Sequence, residues 1–238
     1  MAHLLASFDQ VRIINLVDRT DRRREISAQL KRVGGLTDNI AFFEAQRPTS
    51  CGGFESIGAR GCFESHLSIL RAARNARAGS VLIIEDDFDF TRDGSARARE
   101  LLPELFEAQW DLFYGAHGLA GKQRRDLALV PSDEPIQTTS FVAFNGRVLD
   151  DLVAFLDGLL TRPPGSPDHG PMHVDGAYNV FRMLNPARLC LATFPPLGKQ
   201  RSSASDVTPS NMLLDRSTAT RGIANVLRRA HERFFGGN

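Results

Sequence analysis

Three consecutive carboxylates, Glu85-Asp86-Asp87, follow directly on the apolar run Val81-Leu82-Ile83-Ile84. A short aliphatic run of that kind reads as a buried strand, and open α/β sheets bind ligands outside the carboxyl ends of their strands. Carboxylates crowded at such a point repel one another unless a cation joins them. A hard divalent ion, Mg²⁺ or Mn²⁺, takes oxygen ligands and leaves positions open for phosphate oxygens, so Glu85 and Asp87 with a bound diphosphate would complete its shell. The plain alternative is a solvated acidic turn after a strand, and the EDDFDF segment alone does not separate the two.

A second group with chemistry in it stands near the start. Asn15 and Leu16 end another β-branched apolar run (VRIINL) and are followed by Arg19, Arg22, Arg23 and Arg24. Guanidinium groups bind phosphate bidentately, and a strand end is where a nucleotide would meet them. Asn15, Arg19 and Arg22 are the candidates. Arg23 and Arg24 are better read as an exposed helix face.

These residues need a scaffold. Val11 to Leu16 is expected as a strand, followed by a helix whose Ile26, Leu30 and Val33 share one face and which Gly34-Gly35 ends. Ile40 to Glu44 is expected as a strand, Pro48 to Gly61 as a mobile loop on account of its glycines, and the segment after it as a helix with Cys62, His66, Ile69, Leu70 and Ala73 on one face. Further on, the patterns predict a helix around Leu101 to Phe106, strands at Leu112 to Tyr114 and Thr138 to Phe144, and a helix over Val148 to Leu160. Arg162 to Pro171 reads as a loop, Val174 to Leu184 as a helix and Leu189 to Phe194 as a strand. Strands alternating with helices predict an α/β sandwich around a mostly parallel sheet.

At 238 residues and 42% hydrophobic content the chain suits one domain over 1–238, with a core at about 11–207. A net charge of +1 provides no global field for nucleic acid, which is therefore not an expected partner. Three cysteines with no C-x2-C pair argue against a disulfide framework and a cysteine-ligated zinc, and fit a reducing, cytoplasmic compartment. No segment reaches the roughly 20 apolar residues of a membrane span, so a soluble protein is expected. At 216–238, Ile223, Val226, Leu227, Ala230 and Phe234 form one helical face among arginines; such a helix can lie on the inner face of an anionic membrane or pack against its own domain.

Several motifs in order carry a resemblance. INLVDRTDR (14–22), GARGCFESH (58–66) and VLIIEDD (81–87) resemble, in sequence and spacing, the INL-x2-R-x2-R, Gly-x2-G-C-x2-SH and strand-EDD blocks of glycosyltransferase family 25, which includes lipooligosaccharide and collagen galactosyltransferases. TTSFVAFNGRVLDDLVAFL, Val174-Asp175 and the Pro196 to Ser203 segment occupy the places of its later motifs, so the resemblance runs from about 11 to 207. It implies a GT-A-like sandwich that binds a nucleotide sugar, a divalent metal (Mn²⁺ or Mg²⁺), and inverting transfer of a hexose. By resemblance the donor is a UDP-sugar, with galactose the family-weighted choice. The acceptor is a saccharide of a lipooligosaccharide, lipopolysaccharide or other glycan, lipid-linked forms included.

Carried onto this sequence, the resemblance places Asn15, Leu16, Arg19, Arg22, Ser65, His66, Glu85, Asp86, Gln200 and Ser203 around the nucleotide sugar, with Asp87 and Glu85 on the metal. His66 also suits a hydrogen-bonded core histidine. Inverting transfer needs a base for the acceptor hydroxyl, and Asp175 is the candidate; its other reading is the N-cap of the helix it precedes. His169 and His173 flank it, yet imidazole suits softer metals than Mg²⁺. Two rivals stand beside this reading: a non-catalytic relative that binds a nucleotide sugar or glycan, and a nucleotidyltransferase, which lacks support from any P-loop-type glycine motif.

Overall fold

The computed structural model describes residues 5–119 and 126–201. Strand β1 (Gln10–Asn15) leads into helix α1 (Thr20–Arg32), whose Ile26 and Leu30 are fully buried, and then into β2 (Ile40–Glu44). Helix α2 (Ile57–Asn75) precedes β3 (Ser80–Glu85), the short β4 (Phe88–Phe90), α3 (Gly94–Glu107) and β5 (Leu112–Tyr114). The remaining elements are β6 (Asp126–Leu129), β7 (Phe141–Asn145), a 3₁₀ turn (Gly146–Val148), α4 (Leu149–Leu160), α5 (Val174–Leu184), β8 (Cys190–Phe194) and β9 (Gly198–Gln200).

Seven strands form one sheet in the order β2-β1-β3-β7-β5-β8-β6. The pairings β1·β2, β1·β3 and β5·β8 are parallel, and β7 and β6 run against their neighbours, so five of the seven strands point one way. This is the α/β sandwich with a mostly parallel central sheet that the sequence predicts. Its two faces are both covered. Val81 and Ile83 of β3 enter a core with α2, α4 and α5, while Leu82 and Ile84 enter a second core with α1 and α3. Burial on both faces is why β3 is continuously apolar rather than alternating, and each such side chain contributes roughly 1.5–3 kcal/mol by leaving water.

The structure corrects several boundaries. Helix α2 starts at Ile57, inside the expected Pro48–Gly61 loop, because Ser56 caps it by accepting from Ala59 N at 3.0 Å. Gly61 is kept there by close approach, since a Cβ would stand 2.6 Å from the Gln46 carbonyl oxygen. Helix α3 is longer than the expected Leu101 to Phe106, reaching back to Gly94. Strand β7 begins only at Phe141, because Thr138 turns through a positive φ of 70°. The opening of the Val148 to Leu160 helix is the 3₁₀ turn.

Two elements absent from the sequence expectation matter most for the site. β4 and β9 pair antiparallel, with Phe88 opposite Gln200 and Phe90 opposite Gly198, and so close a strap over the acidic segment. Thr91 N extends the strap by donating to Leu197 O (3.0 Å), and α3 anchors it through Arg97, which donates to the carbonyls of Pro195 (2.6 Å) and Phe194 (3.0 Å). A Cβ on Gly94 would lie 1.8 Å from the Leu197 carbonyl oxygen. Backbone cannot yield as a flexible side chain does, so Gly94→Ala is expected to lower stability by about 1–3 kcal/mol or more in urea denaturation. An unchanged midpoint would mean that the strap is not held in this way.

Candidate active site

Because β1 and β3 are parallel, with Ile14 opposite Glu85, their carboxyl ends fall at the same edge. Asp86 N donates to Ile14 O and Glu85 N donates to Ser140 O, both at 3.1 Å, which sets the acidic turn between β1 and the chain entering β7. Asp86 is buried and taken up in the scaffold: its Oδ2 accepts from Asn15 Nδ2 (2.7 Å) and its Oδ1 from Arg22 Nη1 (3.2 Å). Burial raises its pKa, an effect that Asn15 and Arg22 oppose without cancelling. Asn15 and Arg22 are thereby brought onto the acidic cluster by their own contacts.

Asp87 is differently placed. Its Oδ2 accepts from Gln200 Nε2 at 3.1 Å and lies 3.8 Å from Arg22 Nη1, but its Oδ1 is buried with no hydrogen-bond partner. Asn15 Oδ1 is buried and unpartnered as well. Burial first, then the charge of Glu85, pushes the Asp87 carboxyl up to about 7. A buried carboxylate oxygen without a donor, beside a second carboxylate, is a position that a divalent cation would satisfy, since a cation reverses the sign of both effects. The hard oxygen set of Asp87 and Glu85 fits Mn²⁺ or Mg²⁺.

Glu85 Oε1 accepts from Thr139 Oγ1 at 2.7 Å and lies 3.7 Å from His66 Nε2. Burial works against its charge, yet His66, Thr139 and Arg22 outweigh that and hold its pKa below the usual carboxylate value. His66 is fully buried on α2, its Nδ1 3.0 Å from the Tyr178 hydroxyl of α5. Ser65, one residue before, serves the scaffold: its hydroxyl donates to Gly61 O (2.6 Å) and accepts from Gln46 N (2.8 Å).

Asp175 lies in the first turn of α5 and is not its N-cap, a position held by His173, which makes no side-chain capping bond. Asp175 Oδ1 does accept from the Gly176 amide at 2.8 Å, so it takes up one free donor of the helix start. Burial raises its pKa; the Gly176 amide and His173 pull it back and Glu85 adds to the rise, which sets Asp175 in the electrostatic reach of the acidic cluster.

Other expected residues fall elsewhere. Half-buried Leu16 starts the turn after β1, its carbonyl accepting from Arg19 N at 2.9 Å. The Arg19 guanidinium is engaged by Asp21 at 3.0 Å, and its backbone oxygen accepts from Asn15 Nδ2 at 3.2 Å. Arg23 lies exposed over the Phe42 ring and Arg24 is exposed, as read from the sequence. His173 pairs with Glu55 at 3.1 Å on the surface. Ser203 and the expected helix at 216–238 lie outside the described residues. Among the described residues no helix is long and apolar enough to cross a membrane.

Sequence reasoning passed over Thr139, Tyr178 and Arg201. Arg201 donates to the Asp86 carbonyl (2.6 Å) and to Asp89 (2.8 Å), tying the strap to the acidic turn. A cavity of about 550 Å³ lies beside β9, lined in part by Arg97, His117, Thr138, Lys199 and Gln200. Gln200 joins that cavity to Asp87.

No family model and no curated protein matches the chain. Solved structures do match in backbone course. One is a glycosyltransferase involved in the glycosylation of the major capsid of PBCV-1, at TM-score 0.41 and 12% identity, covering 82% of this chain and 94% of that one. Another is CMP:2-keto-3-deoxy-manno-octonic acid synthetase complexed with CTP, at TM-score 0.41 and 9% identity, covering 91% of this chain and 100% of that one.

Proposed function

We propose that this chain is a metal-dependent, inverting glycosyltransferase of the family 25 type, acting on a UDP-hexose, galactose by resemblance, and a saccharide acceptor. The observation that carries the reading is Asp87: a buried carboxylate oxygen with no partner, beside Glu85 and next to Arg22 and Asn15, where two parallel strands end. Such an arrangement suits a diphosphate and the cation that accompanies it.

On this reading Asp87 and Glu85 hold Mn²⁺ or Mg²⁺, which would neutralise charge on the departing nucleotide. Asp86 keeps Asn15 and Arg22 in place beside the phosphates, and Gln200 positions Asp87. Asp175 takes the proton of the acceptor hydroxyl; its raised pKa brings it nearer the working pH, which favours a general base. Glycans of lipooligosaccharide or lipopolysaccharide are the acceptors the resemblance favours, at a cytoplasmic site of action with membrane contact through 216–238.

Calorimetric titration with UDP and UDP-galactose, in Mn²⁺ and in EDTA, tests this directly. Binding in Mn²⁺ that weakens at least about tenfold in EDTA is the expected result, a difference of about 1.4 kcal/mol. Equal binding in both would remove the metal, and no binding in either would favour the non-catalytic alternative.

A further inference from the structure

Cys62 and His66 are four residues apart on α2, so both project from one helix face, and that face meets the end of β3 at Glu85. The thiol Sγ, an imidazole nitrogen and a Glu85 carboxylate oxygen all lie within 4.8 Å of one another. We propose that Cys62, His66 and Glu85 form a binding site for a borderline-soft divalent cation of the Zn²⁺ class, distinct in its donors from the oxygen site at Asp87. The cysteine spacing argues against such a site because its single thiol is completed by a histidine and a carboxylate rather than by a second cysteine.

The first support is an orphaned atom. His66 Nε2 is fully buried and has no hydrogen-bond partner; at 3.7 Å the Glu85 oxygen is too far for one. That separation is instead close to a tetrahedral edge, since metal–nitrogen and metal–oxygen bonds of about 2.0–2.2 Å place two ligands about 3.4 Å apart. The second support is the other side of the ring. In the tautomer with its proton on Nδ1, His66 donates to the Tyr178 hydroxyl at 3.0 Å and presents the Nε2 lone pair to the site; cation binding selects that tautomer.

Charge agrees with the donor set. One thiolate, one carboxylate and a neutral imidazole balance a divalent ion, and the coordinated thiol releases its proton to solvent as the metal–sulfur bond forms. Without a cation, burial and the carboxylates of Glu85, Asp175 and Asp87 keep Cys62 a neutral thiol. Sulfur and imidazole select Zn²⁺ or Co²⁺ over Mn²⁺ and Mg²⁺. Three protein ligands leave the fourth tetrahedral position to water or substrate. Thr139, which holds Glu85 Oε1 at 2.7 Å, orients the carboxylate. The site touches the transferase reading through Glu85, which both cations would share, and through His66, which the resemblance sets near the donor.

Co²⁺ titration of the full chain, followed by absorbance, tests the assignment without an activity assay. The expected result is a near-ultraviolet sulfur-to-cobalt charge-transfer band with tetrahedral visible bands, displaced by one equivalent of Zn²⁺. Cys62→Ser is expected to abolish the charge-transfer band, while Cys51→Ser, an exposed cysteine, retains it. Glu85→Gln is expected to keep the sulfur band but to weaken Co²⁺ binding by roughly 10–100-fold or more. No sulfur band in the unaltered protein, or a band that survives Cys62→Ser, overturns the site. Calorimetry with UDP and Mn²⁺ fails or succeeds independently of the cobalt spectrum, so the two readings can fall separately.

Discussion

Asp87→Asn is expected to abolish Mn²⁺-dependent UDP binding and turnover, lowering activity by 100-fold or more, while making the metal-free protein more stable at pH 8 (activity loss on the order of a lost electrostatic stabiliser). The two effects have one cause. The folded carboxyl holds its proton up to about 7, whereas an unfolded one releases it near 3.8, so folding takes up a proton between those values. Stability of the metal-free protein therefore falls as pH rises from about 4 through 7 and then levels. Asparagine has the shape of the neutral acid and no charge to desolvate, so the variant lacks this loss. A full pKa unit is worth about 1.4 kcal/mol, and because Asp87 and Glu85 titrate as a coupled pair only part of the shift belongs to Asp87 alone, so a gain of about 2 kcal/mol at pH 8 is expected.

Saturating Mn²⁺ should reverse the order, since only the unaltered protein then gains binding free energy in the folded state. Urea denaturation at pH 5 and pH 8, with and without Mn²⁺, measures all of this. A variant that still binds UDP only in the presence of Mn²⁺ would remove Asp87 from the cation site.

Asp175→Asn is expected to lower kcat by about 10²–10⁴-fold with little change in donor affinity, because a base acts on the acceptor proton in the transition state. The amide oxygen of asparagine can still accept from Gly176 N, so the helix start is preserved in the variant. That separates the roles: a loss of melting temperature with unaltered kcat would leave Asp175 as a structural residue of α5. Steady-state kinetics with varied donor, alongside thermal denaturation, decides between them.

Much of the scaffold was legible in the sequence because the signal is local. The β2, β5 and α5 boundaries were read directly, and the run VLII marks β3 because a strand covered on both faces must be apolar throughout. Asn15 and the acidic triplet could be placed at strand ends from the break between apolar and polar residues alone. β4 and β9 could not, since three-residue strands exist only by pairing with each other across more than a hundred residues. The start of α2 was hidden in part by Gly61, a glycine that is there for close approach to Gln46 rather than for a turn.

Which carboxylate of the triplet is free was also beyond the sequence. Three adjacent acids look alike until the fold hands Asp86 to Asn15 and Arg22, gives Glu85 to Thr139, and leaves one buried oxygen of Asp87 without a partner. The sequence by itself determined the alternation of strands and helices, the two apolar faces and the crowding of charge at a strand end, because these follow from residue type and spacing along the chain. Only the tertiary structure decided that Gln200, Thr139, Tyr178 and Cys62 share that space, because their proximity comes from sheet order and helix docking, and those are contacts between segments far apart in sequence.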